Sequence, residues 1–495
     1  MDMRPIPGRS PLSRLRIRVG ALGLGLSIAG ALALLVGPFG GCAPGGADAG
    51  DSSSQSGQGG ANAGAGGAGE GGDIFAAGGS PGCDNLECQQ VQCPGGTTTS
   101  VTGTVYDPAG KNPLYNVVVY VPNEPLSSIA DGATCEQCGQ LSGAPLVTTL
   151  TDTTGRFVLE NVPVGADIPL VIQVGKWRRE LTLPSVAECV ENPVADTNLT
   201  RLPRNKAEGH IPKIALSTGG ADPLECLLRK VGIDDAEFTL PSGDGRVNLY
   251  ADHDLGDVNL VGTSQYAGSL NGGAQFPNSK SLWETTASLM GYDVVLLACE
   301  LGQNLETKSP AAFEAIRNYA DGGGRLFLSH WHNVWLHDGA APWPDVATWD
   351  FQTDPPSPYT ALVDQSFPKG EAMAEWLVEV GASTVLGELP ISGPQHTVAG
   401  VDGALARRWI YGPSSDGDSV KYFSMNTPAG AADDALCGRI VVSDIHVSSG
   451  DQVAVPFPEG CVTEDLSPQE RALEFMLFDL SSCIQPDDEP PVPPS

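Results

Sequence analysis

Three apolar stretches of this chain end in side chains able to move protons, attack carbonyl groups or hold metal ions. Tyr292–Ala298 runs into Cys299-Glu300, Arg325–Leu328 into Ser329-His330-Trp331-His332, and Gly438–Val442 into Ser443-Asp444-Ile445-His446. The chain has seven histidines, and three of them stand at these ends. Ligands of open α/β sheets bind beyond the carboxyl ends of the strands. If the three stretches are neighbouring strands, Glu300, His330, His332, Asp444 and His446 converge on one ligand-binding cleft. Carboxylate and imidazole donors suit zinc or another divalent ion. His330 and His332, two residues apart, point to one side if their segment is extended. A sugar or other small polar ligand is an alternative occupant, and hydrogen bonds that only fix loops are the plainest reading. Ser329 as nucleophile with His446 as base would make a hydrolase. Such a nucleophile sits on a strained elbow that needs small neighbours, whereas Phe327, Leu328, His330 and Trp331 flank Ser329. Turnover at Ser329 is therefore disfavoured, and Cys299 lies on a different stretch.

The elements that must position these residues alternate strand and helix. Lys213–Ser217 is a short strand, and Pro223–Lys230 a helix with Asp222 as its N-cap and Glu225 completing the start. Tyr292–Cys299 is apolar throughout, as a strand buried on both faces of a parallel sheet would be. Ser309–Ala320 is amphipathic and ends at Gly322-Gly-Gly324. Arg325–Ser329, Lys421–Ser424 and Gly438–Asp444 are further strands. Ser467–Leu480 is a closing helix with Ser467 and Glu470 at capping-box spacing. This alternation implies an α/β domain at 205–486, a doubly wound flavodoxin-like open sheet, with an insertion at about 344–410 carrying its own helix, Lys369–Val380. Thr218-Gly-Gly-Ala-Asp222 lacks a phosphate-binding pattern and reads as a tight turn. Asp252-His-Asp254-Leu-Gly-Asp257 lacks the spacing and terminal Glu of a calcium loop and reads as solvated.

Residues 83–203 read instead as all-β. Ser100–Tyr106, Val117–Val121, Asp152–Leu159 and Pro169–Gln173 are strand-like runs separated by turn residues. They make a small β-sandwich, with Trp177 as a packed edge aromatic. Ahead of it, residues 43–82 hold 15 glycines and almost no apolar side chains, so they cannot bury enough surface to fold. As a flexible coil this tether reaches roughly 35 Å. Residues 487–495 read as a disordered tail.

The first 41 residues carry five Arg, an apolar run from Ala21 to Val36, and Gly40-Gly41 before Cys42. That is a secretory signal. The net charge is −32, and −36 once the signal is removed. A surface so acidic repels nucleic acid and anionic lipid alike. Leaving Cys42 aside, six cysteines fall between Cys83 and Cys189, enough for three bridges. Five fall between Cys226 and Cys483, so one stays free or bridges the two regions. Cys135 and Cys138 have metal or redox spacing and read as structural in an exported chain.

Several segments resemble known families. Gly-Gly-Cys42 after the apolar run resembles the bacterial lipobox. That likeness implies a lipidated Cys42, a tether from 42 to 82, and a partner in the outer membrane reached through the lipid. "GTVYDPAGKNPLYNVVVYVPN" followed by "TDTTGRFVLENVPVG" resembles the carboxypeptidase regulatory-like (transthyretin-like) domain, which implies a non-catalytic module with a carbohydrate-binding-like fold. "YDVVLLACE … AIRNYADGGGRLFLSHWH … CGRIVVSDIH" resembles the trehalose-utilisation-type, class I glutamine-amidotransferase-like fold, with that family's catalytic Cys absent. The arrangement as a whole is similar to large lipoproteins of myxobacteria. Together these imply a cell-surface binding protein for glycan or an envelope protein. The alternative is a divergent metal-dependent hydrolase using His330, His446 and Glu300.

Overall fold

A computed structural model describes residues 82–494 apart from 136–138, 140, 448 and 449. The signal, Cys42, nearly all of the tether and Cys138 lie outside the described residues. Seven strands come first: β1 (Ser100–Thr104), β2 (Val118–Pro122), β3 (Pro145–Leu150), β4 (Arg156–Glu160), β5 (Gly165–Val174), β6 (Trp177–Val186) and β7 (Glu191–Val194). They form two sheets, ordered β4-β1-β7 and β3-β2-β5-β6. Strand β4 alternates exposed and buried residues, with Phe157 and Leu159 inward, as a strand with one wet face must.

The rest of the chain builds one sheet of ten strands. In chain order the main elements of this region are β8 (Ile214–Thr218), helix α1 (Leu224–Val231), β9 (Phe238–Thr239), β10 (Val247–Ala251), β11 (Val294–Leu297), α2 (Pro310–Asp321) and β12 (Arg325–Ser329). There follow β13 (Ala347–Trp349), β14 (Tyr359–Val363), α3 (Pro368–Glu379), β15 (Glu388–Ile391), β16 (Val398–Val401), β17 (Arg407–Ser414), β18 (Gly417–Thr427), β19 (Gly438–Ser443) and α4 (Pro468–Ser481). The sheet order is β15-β14-β17-β18-β19-β12-β11-β8-β10-β9. The six strands from β19 to β9 are parallel, and the four beyond β19 are antiparallel. The architecture is mixed α/β plus all-β, as composition and pattern predict. The stretch 344–410 is not a separate insertion: β14, β15 and β17 extend the sheet, while β13 and β16 pair with each other.

The parallel strands are apolar on both sides because both sides are covered. Ile214, Leu216, Leu296, Phe327 and Val441 join a core with α1, α3 and α4 that continues into the sandwich interior at Val101, Val119 and Ile172. Val295, Leu297, Leu328, Ile440 and Val442 face the other way, onto Ala312, Ile316 and Tyr319 of α2. The helices start where their caps dictate. Ser309 caps α2, and Ser467 and Glu470 form the capping box of α4. At α1 the expected cap fails: Pro223 occupies the N-cap position, and the Asp222 side chain is drawn elsewhere.

Sandwich and sheet share one core, so residue 204 is no independent boundary. Tyr115 stacks on Phe475 of α4 at 6.0 Å, and Trp177 meets Phe478 edge-on at 5.9 Å. Trp177 is thus packed, as expected. Lys176 bridges Asp293 at 2.8 Å with both side chains buried. Gly323, which ends α2 at φ +105°, lies so close to the Thr134 carbonyl that a Cβ would collide with it. Between described residues the bridges include Cys83–Cys88, Cys93–Cys189, Cys226–Cys461 and Cys135–Cys437, the last joining the two regions. The six N-terminal cysteines therefore do not pair only among themselves, and Cys299 is free among the described residues. These disulfides mark an oxidising, exported environment. No described helix is long and apolar enough to cross a membrane. The C-terminal segment is not loose at its start, because Asp487 pairs with buried Arg439 at 3.2 Å.

At the joint with α4, burial raises the Asp107 carboxyl to about 6, and burial beside Asp107 holds the Glu474 carboxyl well above its usual range. Carboxyl groups raised in the folded state stabilise below their unfolded pKa, and that stability is lost as pH climbs through the folded value. Asp107→Asn is expected to raise the thermal midpoint above pH 6, by roughly 1–2 kcal/mol of stability, and to flatten its fall between about pH 4 and 6. A pH series of melting curves on both proteins checks this.

Candidate functional site

The carboxyl ends of β8, β11, β12 and β19, consecutive in the sheet, meet at one edge, so the three polar ends named from the sequence are neighbours. Asp222, two residues beyond the Gly219-Gly220 turn after β8, is fully buried. Its carboxylate accepts hydrogen bonds from Ser329 Oγ and, at 2.7 Å, from the Val447 amide. One carboxylate therefore ties together the ends of β8, β12 and β19. Ser329 is 1% exposed and its proton is committed to Asp222, which leaves it poorly placed as a nucleophile. The glycine turn is a packing device. A Cβ at Gly219 would run into the Cys299 carbonyl and one at Gly220 into the Asn259 carbonyl. The Gly220 and Ala221 amides already donate to Leu260 and Cys299 carbonyls, so they are spent as anion donors. Asp252 and Asp257 cap short helical turns; Asp252 is buried rather than solvated.

The register of β11 on β12 pairs Leu297 with Leu328. Two residues further along each strand stand Cys299 and His330, and Cys299 Sγ lies 3.6 Å from His330 Nδ1. The sequence reading left Cys299 out; counting equal distances from the two strand ends would have found it. His330 takes φ +41°, a left-handed conformation uncommon for a residue with a Cβ and typical of functional turns. The chain after β12 is a 3-10 turn, His330–Asn333, not an extended strand. The expectation that His330 and His332 share a side fails for that reason. The His330 ring meets His446 edge-on, with centroids 5.1 Å apart. Burial, reinforced by His446, lowers the His330 pKa to about 3, so the imidazole is neutral. Burial also pushes the Cys299 thiol above its usual range.

Glu300 and His332 form a second cluster. Glu300 Oε2 accepts from Lys308 Nζ at 2.9 Å, and its Oε1 stands 3.7 Å from His332 Nε2. All three side chains are 1% exposed. The Lys308 ammonium lies over the rings of Trp283 and Trp335 at 5.5 and 5.8 Å. Trp335 Nε1 donates to His332 Nδ1 at 3.0 Å. Burial raises the Glu300 carboxyl despite Lys308, and burial with Lys308 holds His332 well below its usual value. Glu300 and His332 therefore turn away from His330 and His446 into a closed structural pair.

Asp444 is also occupied. Its carboxylate accepts from the Thr397 amide at 2.7 Å and the Thr397 hydroxyl at 2.8 Å, which fastens the 394–397 segment to the end of β19. Lys421 of β18 lies beside it, its pKa lowered by burial to about 8. The solvent side of the histidine pair is aromatic. Trp331 and Phe351 lie parallel, 3° apart in plane with centroids at 5.8 Å, and Phe351 is 44% exposed. His337 meets the Phe351 ring at 5.1 Å.

No family model and no curated protein matches the chain. Solved structures do match. A ThuA-like protein from Bacteroides uniformis is 12% identical over 42% of this chain and 76% of its own, with a TM-score of 0.27. A type II cohesin–X-dockerin complex from Acetivibrio cellulolyticus is 15% identical over 30% of this chain and 79% of its own, with a TM-score of 0.15. BcpA, the major pilin subunit of Bacillus cereus, is 17% identical over 20% of this chain and 29% of its own, with a TM-score of 0.13. At these scores none bears on what the site does.

Removing one partner of a buried ion pair strands the other. Glu300→Leu is expected to destabilise the fold by about 3–5 kcal/mol, and Glu300→Leu with Lys308→Met to recover most of that loss. Denaturant titration of the three proteins checks the structural role. A ligand role would leave the double variant no more stable than the single one.

Proposed function

We propose that this is an exported cell-envelope lipoprotein, held to the outer membrane through lipid on Cys42, that binds carbohydrate at the carboxyl edge of a doubly wound, flavodoxin-like sheet. One observation carries the reading: the parallel, stacked Trp331–Phe351 pair, exposed at Phe351, with Trp331 against His330 of the histidine pair. Flat aromatic faces next to a few fixed polar groups suit the apolar faces and hydroxyl rims of sugar rings. The occupied side chains support binding without turnover. Ser329 is tied to Asp222, Cys299 is held as a buried thiol, and Glu300 is locked to Lys308. The chain's acidity favours a neutral ligand over a phosphorylated one. The hydrolase alternative loses its third residue, because Glu300 faces Lys308 and His332 rather than the histidine pair.

The test is calorimetry against soluble glucans, xylans, chitooligosaccharides and muropeptides. Trp331→Ala is expected to weaken binding of the responding glycan at least tenfold, about 1.4 kcal/mol, with the melting profile unchanged. Absence of binding across the panel, or binding indifferent to both Trp331→Ala and Phe351→Ala, would sink the proposal.

A further inference from the structure

We propose that Cys299, His330 and His446 form a binding site for a single zinc-class transition ion, held by one thiolate and two imidazoles. Each residue offers a donor atom within 4.8 Å of the other two. The distance between Cys299 Sγ and His330 Nδ1 is 3.6 Å. A tetrahedral ion with bonds of about 2.3 Å to sulfur and about 2.0 Å to nitrogen holds such a pair about 3.6 Å apart. The pair thus already has a coordination separation, and the His446 donor stands within 4.8 Å of both. The two rings meet edge-on at 66° rather than face to face, an arrangement that lets ring nitrogens converge.

A second observation points the same way. His446 Nε2 is buried and has no hydrogen-bond partner. A buried polar atom left unpaired costs about 1–3 kcal/mol, and a bound ion is one way to satisfy this ring. The ligands come from the ends of three adjacent parallel strands, β11, β12 and β19, so the sheet holds them before any ion arrives. The left-handed turn at His330 aims its ring into the group.

The donor set selects the ion. A thiolate with imidazoles suits zinc, copper or cobalt and disfavours magnesium and calcium, which take oxygen ligands. Binding displaces the thiol proton of Cys299, so affinity rises with pH. Three protein ligands leave the fourth tetrahedral position to water or a ligand atom. The other cluster of similar spacing, Cys226, Asp451 and Cys461, has both cysteines in a disulfide and no thiolate to offer. The proposal stands apart from glycan binding, because its readout is the ion itself.

The experiment is a titration of the metal-stripped full chain with Co2+, followed by displacement with Zn2+. One equivalent of cobalt is expected, with the tetrahedral visible bands and a thiolate-to-metal charge-transfer band that zinc abolishes. Cys299→Ser should remove the charge-transfer band, and His446→Gln should weaken binding by about 100-fold or more, both with native circular dichroism. No uptake by the folded chain, uptake without the thiolate band, or a site that survives both substitutions overturns the assignment. If either variant fails to fold, X-ray absorption on the zinc-loaded wild-type chain decides. One sulfur among nitrogen scatterers supports the site, and a shell without sulfur refutes it.

Discussion

The central parallel strands of this protein are apolar on both faces, and everything else is arranged to keep water off them. Burial of apolar surface is the dominant favourable term in folding, and a strand such as Val294–Leu297 has no face it can leave wet. One side is closed by α2. The other needs α1, α3 and α4 together, and α4 is in turn backed by the β-sandwich through Phe475 and Phe478. The β-sandwich is therefore part of the wall of the α/β core. Lys176–Asp293 and Cys135–Cys437 fasten a joint that hydrophobic contact has already made.

The same covering decides what the strand ends can do. Polar side chains emerging from so dry a sheet must be satisfied locally or left strained. Asp222 is satisfied by Ser329 and Val447, Asp444 by Thr397, and Glu300 by Lys308. Arg439 and Lys369 share Asp479 beneath the sheet. In the Cys299–His330–His446 group a left-handed backbone, a reduced thiol and an unpaired imidazole nitrogen coincide. A left-handed backbone beside a free thiol, next to an exposed aromatic pair, marks this corner off from the hydrogen-bonded carboxylates around it.

Much of this architecture can be read directly from residues. Ser467 with Glu470, and Ser309 before Pro310, predict helix starts within a residue of those observed, because caps satisfy amides through local geometry. The runs Arg325–Ser329 and Gly438–Ser443 predict strands almost to their ends, since an unbroken apolar run flanked by glycine has few other uses. Asp222 shows where local reasoning stops. As a cap it would bond to its own helix, but two distant donors outcompete that role. The antiparallel strands β14, β15 and β17 were likewise hidden, because their periodicity does not say which sheet edge they join.

The sequence by itself determines the two fold classes in their order, the caps, the buried strands and the fact that polar chemistry sits at three strand ends. Those are properties of short windows, where side-chain pattern acts on neighbouring backbone. Only the tertiary structure decided which of those polar residues meet. Strand register brought Cys299 to His330, a 3-10 turn sent His332 away from it, and Lys308 claimed Glu300. Contacts between residues far apart in the chain depend on the order and register in which whole strands pack, and no local window encodes those.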